Sequence, residues 1–257
     1  MERGSQPLTP EDAASVLSWW ADAGVDVLID EEPRDWLRPQ AKAPPAGPAQ
    51  TAPADRAPAA EAAPPAPARD EAPLPGQIDL FQAWLQESAS LPYAAPAAPR
   101  VCPSGDPASG LMIMADMPTA EDCSANSLLS GESGRLFDRM LAAIGRDRAS
   151  IYLAALSCLR SPTGLFNAEG AKNCATLARH HIGLATPRAV LLLGDTCSKA
   201  LLGMPMPQAR GSWHDIPTQA GPARALVTFA PKDLLKYPAL KAQAWADLQM
   251  LIEELKA

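Results

Sequence analysis

Leu111-Met112-Ile113-Met114-Ala115 is an unbroken apolar run, and it constrains the fold more than any other stretch of the chain. A strand with one wet face alternates polar and apolar side chains. A strand with no polar position must be covered on both faces, as in the middle of a parallel sheet. The run ends at an acid, Asp116, and a polar stretch containing Gly131 and Gly134 follows before Leu136, Met140 and Leu141 resume on one helical face. This reads as a buried strand, a long loop at its carboxyl end and a returning helix. Ligands bind at the carboxyl ends of strands in open parallel sheets, so chemistry is expected around Asp116.

The alternation continues downstream. Apolar runs predict strands at 151–156, 189–193 and 225–229, and helical periodicity predicts helices over 134–145, 168–182, 195–202 and 238–255. Strands separated by helices of about 10 to 15 residues indicate an α/β domain, three-layer α/β/α with a four-stranded parallel central sheet. A further helix is expected over 77–87, with Ile78, Phe81, Trp84 and Leu85 on one side.

Upstream the composition changes. Between Arg38 and Pro75 there are eleven prolines and no Val, Ile, Phe, Tyr or Trp. Such a segment cannot bury enough apolar surface to offset the entropy of ordering, so a disordered linker is expected. Before it, Thr9-Pro10-Glu11-Asp12 supplies a hydroxyl cap, a first-turn proline and acids at the positive end of a helix dipole. Val16, Leu17, Trp19 and Trp20 follow. The expected organisation is an amino-terminal amphipathic helical segment over 1–37, a linker over 38–75 and the α/β domain over 76–257. The paired tryptophans need cover, either on that domain or on a protein partner.

The formal charge of −7 belongs to the amino-terminal part: residues 1–100 carry 7 basic and 15 acidic side chains, the remainder 15 and 14. The α/β region therefore lacks the strongly basic footprint of a dedicated nucleic-acid binder, although a local patch is compatible with its charge. Five cysteines, an odd number, and no leader-like apolar segment point to a reducing, cytoplasmic setting. No apolar run approaches the roughly 18 residues of a membrane span. The expectation is a monomer with no membrane association.

Four ordered blocks carry a resemblance: Leu136-Phe137-Asp138-Arg139-Met140-Leu141-Ala142-Ala143-Ile144-Gly145, Val190-Leu191-Leu192-Leu193-Gly194, Arg210-Gly211-Ser212-Trp213-His214 and Thr228-Phe229-Ala230-Pro231-Lys232-Asp233-Leu234-Leu235. Together they resemble the uracil-DNA glycosylase superfamily, particularly the bacterial family-four type, whose members carry an iron–sulfur cluster. The resemblance implies hydrolysis of the N-glycosidic bond of deoxyuridine in DNA after the base is flipped into a pocket. That chemistry uses an acid that positions water, an aromatic platform, an amide that reads uracil and a histidine that stabilises the departing anion.

Carried over residue by residue, the family's glycine-glutamate-alanine-proline-glycine motif falls on Ala115-Asp116-Met117-Pro118-Thr119. The platform phenylalanine falls on Leu129, the base-reading asparagine on Ala155 and the histidine-proline pair on Ala230-Pro231. Asp116 is thus the remaining catalytic candidate, with His214 as an alternative. Met117, Pro118, Leu129, Ala155 and Ala230 are expected around the substrate pocket. Losing one preorganised electrostatic donor costs about 10²- to 10³-fold in rate, so a degenerate site of weak or absent activity is expected. The alternatives are an active glycosylase of altered base specificity using Asp116, and a non-enzymatic interaction protein acting through its tryptophan helix.

For DNA contact, the resemblance points to the Ser130-Gly131-Glu132-Ser133-Gly134 stretch, whose backbone N–H groups face phosphates, and to Pro231 and Lys232 after the last strand; Arg160 adds charge. Cys158 and Cys174 fall where the family places its third and fourth cluster ligands, but the family's amino-terminal Cys-x-x-Cys pair is absent. A four-iron cluster normally needs four thiolates. No cofactor is therefore expected, with a [4Fe-4S] cluster on unusual ligands as the alternative. His180 and His181 read as the end of a helix, where cations suit the dipole.

Overall fold

The computed structural model describes residues 73–95 and 98–256. The expected amino-terminal tryptophan helix and nearly all of the expected linker lie outside the described residues. Six strands, Ser104–Gly105 (β1), Leu111–Ala115 (β2), Tyr152–Ala155 (β3), Ala189–Leu193 (β4), His214–Thr218 (β5) and Gly221–Thr228 (β6), form one sheet in the order β1-β3-β2-β4-β6-β5. The central four are parallel, as expected, and in register: Ile113 lies beside Leu153 on one side and Leu191 on the other, and Leu191 beside Leu226. Two antiparallel edge strands were not expected. β1 has two exposed residues, and β5 buries only Ile216 and contains Pro217, which an edge tolerates.

Among the described residues the α-helices are Ile78–Glu87 (α1), Ala120–Ala125 (α2), Gly131–Ala143 (α3), Ala168–Ala185 (α4), Gly194–Leu202 (α5), Met206–Ala209 (α6), Pro231–Lys236 (α7) and Lys241–Lys256 (α8). β2 and β4 are apolar at every position because both sheet faces are covered. On one face Leu111, Ile113, Leu153 and Leu191 pack with Phe137 and Leu141 of α3 and Leu248 and Leu251 of α8. On the other, Met112, Met114, Tyr152 and Leu192 pack with Ala178 and Ile182 of α4 and Leu201 of α5. α1 joins a smaller cluster of Phe81, Leu85, Leu91, Cys158 and Leu159.

The chain runs from β2 outward to β3 and then crosses to β4 on the other side of β2. A reversal of this kind opens a crevice at the strands' carboxyl ends, between the two directions of winding. Among the described residues no helix is long and apolar enough to cross a membrane.

Candidate functional site

A cleft of about 270 Å³ opens at this switch point. Ala115 and Asp116 enter it from β2, Leu193 from the end of β4, and Ala230, Pro231 and Lys232 from the segment after β6; its far wall carries Thr119, Glu121, Leu129, Ser130 and Ser133. Its volume lies just under the ~300 to 1,000 Å³ usual for small-molecule pockets.

Asp116 directly follows β2, with its side chain 24% exposed. One carboxylate oxygen accepts the Met117 N–H at 2.9 Å, and the other accepts Lys232 Nζ at 2.5 Å. Burial pulls the Lys232 ammonium down, but the charge and hydrogen bond of Asp116 more than offset this, so its pKa is held above the ordinary value. Lys232, expected to meet DNA phosphates, is paired with the acid.

The wall opposite is ordered by a second acid. Asp122, 3% exposed, accepts the Thr119 N–H at 2.9 Å and the Ser130 N–H at 2.6 Å, while Thr119 Oγ1 accepts the Asp122 N–H at 3.0 Å. This is a capping box at the start of α2, in a stretch expected to be loop. The expected phosphate loop is also helical: α3 begins at Gly131, and the Ser130 N–H is spent on Asp122. A Cβ on Gly131 would collide with the Glu121 carboxylate, so an acid already sits against the start of α3. Anions favour such positions, and the Glu121 carboxylate supplies the negative charge here.

Of the residues expected at the site, Asp116, Met117, Leu129, Ser130, Ser133, Ala230, Pro231 and Lys232 share this cleft. The others lie elsewhere. Ala155 is paired beside Ala115 in the sheet but lines the adjoining cavity under α1. The Pro118 carbonyl accepts Arg160 Nη1 at 3.3 Å, outside the cleft lining. Gly131 and Gly134 border a shallower groove beside Arg135 and Arg148. His214 begins β5, with Nε2 2.8 Å from the Ala209 carbonyl oxygen, and is not at the cleft. His180 and His181 are both buried and precede the end of α4 by several residues, so neither serves as an exposed cap. Thr119, Glu121 and Asp122 are among the cleft residues that sequence reasoning did not assign, although threonine followed three positions later by an acid is a recognisable helix start.

Cys158 and Cys174 both approach the cavity under α1. Burial pushes the Cys158 thiol up to about 12 and the Cys174 thiol up to about 11, the latter moderated by a hydrogen bond with Ser157. Among the described residues, no three His, Cys, Asp or Glu side chains are grouped so as to hold a metal. This donor set does not fit a four-thiolate cluster.

The chain belongs to the uracil-DNA glycosylase superfamily: the family model described as "Uracil DNA glycosylase superfamily" matches residues 102–249. A type-4 uracil-DNA glycosylase from Pyrobaculum aerophilum is 24% identical over 153 residues, 57% of this chain and 78% of that protein.

Proposed function

We propose that this chain is a uracil-DNA-glycosylase-like protein of base-excision repair that has lost most or all of its hydrolytic capacity and retains the cleft as a DNA-binding scaffold. The observation that carries this reading is the engagement of Asp116. Glycosidic cleavage builds positive charge at the sugar, and an acid assists by being negative and free to orient water. Here both carboxylate oxygens are engaged, and the Lys232 ammonium beside them repels the same developing cation. The departing base becomes an anion, and at Ala230 there is a methyl group where a donor is required.

DNA binding on this reading is weak and steeply salt-dependent. Asp116 and Glu121 line the cleft and repel phosphates, leaving attraction to cations outside it such as Arg135, Arg139 and Lys241.

A second reading rests on the same ion pair. If Lys232 donates to the departing base while Asp116 steadies the sugar, the protein is an active glycosylase with an altered constellation. One experiment separates the two: purified protein, oligonucleotides containing uracil or hypoxanthine, and alkaline cleavage of abasic sites, beside anisotropy titrations at several salt concentrations. The first reading predicts little or no turnover and binding that falls with salt. Turnover abolished by both Asp116→Ala and Lys232→Ala establishes the second. Absence of both turnover and low-salt binding contradicts both.

A further inference from the structure

We propose that an apolar plug on α1 and the turn after it has replaced the iron–sulfur cross-link of the family. A cluster with two ligands before the first central strand and two after β3 would tie those segments together. In this sequence the second pair of positions survives as Cys158 and Cys174, but none of the five cysteines forms a Cys-x-x-Cys pair and only Cys102 precedes β2. The tie is nevertheless made, by other means.

Phe81 is fully buried, Leu85 and Leu91 are 5% and 4% exposed, and all three share one buried cluster with Cys158 and Leu159. Phe81 also stacks on Trp84, with ring centroids 5.7 Å apart, and meets His180 edge-on at 5.1 Å. The cavity left between these side chains and Cys174 is about 20 Å³. That is room for a single water and not for a cube of four irons and four sulfides.

A polar pin closes the same junction. Arg100 Nη1 donates to the Leu85 carbonyl at 2.9 Å and Nη2 to the Ser88 carbonyl at 2.8 Å, satisfying oxygens at the end of α1. Arg100 pairs with Leu159 as an isolated bridge, and the Val101 N–H donates to the Cys158 carbonyl at 2.9 Å. The segment before β2 is thus held to the segment after β3 by side-chain burial, a guanidinium and backbone hydrogen bonds.

The plug concerns how the fold is cross-linked, so its test is independent of whether the cleft is active. The full-length chain, purified anaerobically and incubated with ferrous iron and sulfide, is assayed for bound iron and visible absorption and melted beside its variants. The plug predicts no stoichiometric iron, no cluster absorption, and amides of α1 that stay protected from hydrogen exchange in the presence of a chelator. Leu91→Ala lowers the melting temperature by about 5 to 15 °C, the range expected for truncating a buried leucine in a domain of this size. Cys158→Ala with Cys174→Ala lowers it by less than half as much. Should Leu91→Ala fail to fold, Leu91→Met with the exchange measurement on the unaltered chain decides the matter. Stoichiometric iron lost in the cysteine variant, or α1 amides that lose protection with chelator, would overturn the proposal.

Discussion

At the floor of the cleft, each Asp116 oxygen has a partner fixed by a different part of the chain: its own neighbour Met117, and Lys232 from 116 positions downstream. The pair is partly exposed, with Lys232 at 53%, so its contribution to stability is modest, within about 1 kcal/mol after solvent screening. Its consequence is chemical, since it neutralises the acid. The positions of Asp116, Leu129 and Ala230 were legible because the blocks around them are ordered along the chain; the ion pair was not, since nothing in Pro231-Lys232-Asp233 says which acid the lysine meets. His181 was misread for a related reason. Its place near the end of a polar-looking stretch suggested a surface cap, yet it is 3% exposed and meets the Tyr152 hydroxyl at 2.7 Å, with Gln82 donating to that same hydroxyl. Burial, aided by the neighbouring His180, lowers its pKa from 6.5 to about 3. The unfolded chain therefore takes up a proton at a higher pH than the folded one. The contribution is fully present above pH 6.5 and is lost as pH falls toward 3, by at most about 1.4 kcal/mol per pH unit. Urea unfolding at pH 7, 5 and 4 measures this slope, and His181→Gln is expected to flatten it.

At the scale of elements, the long strands were legible and the short pieces around the cleft were not. β2 and β4 contain no polar residue, and their predicted and observed boundaries coincide. α2, by contrast, has six residues and buries only Asp122, so it has no apolar periodicity to detect. Leu129, just before α3, has φ of 53°, a left-handed conformation that no sequence rule would assign to leucine. Gly134 makes the geometry admissible, because a Cβ there would collide with the Leu129 carbonyl. Asp122 holds this arrangement by two N–H bonds, from Thr119 and Ser130. Asp122→Ala leaves those donors without their acceptor and is expected to cost about 1–3 kcal/mol for each one that stays buried. Asp122→Asn, which keeps one acceptor, is expected to cost less. Thermal melts order the two variants, and equal losses would mean that the acid does not organise the cleft wall.

Across the whole molecule, the four-stranded parallel core followed from burial on both faces, while its two edge strands escaped because edge pairing needs neither apolar alternation nor length. The packing of α8 on the sheet depends on a buried polar knot that the sequence also concealed. Arg210 pairs with Asp247 at 2.8 Å, Thr228 Oγ1 donates to the same carboxylate at 2.8 Å, and the guanidinium lies over Phe229 with its centre 4.2 Å from the ring centroid. This knot fixes the carboxyl end of β6 and thereby the loop that carries Ala230 and Lys232 to Asp116. On the proposed reading, the scaffold is kept in register while the groups that would perform glycosidic chemistry on it have changed. The most direct measurement is single-turnover release of free uracil from a uracil-containing oligonucleotide with enzyme in excess. The account predicts release that is absent or far slower than that of a working glycosylase. Release abolished by Asp116→Ala, at a rate typical of a working glycosylase, would contradict it.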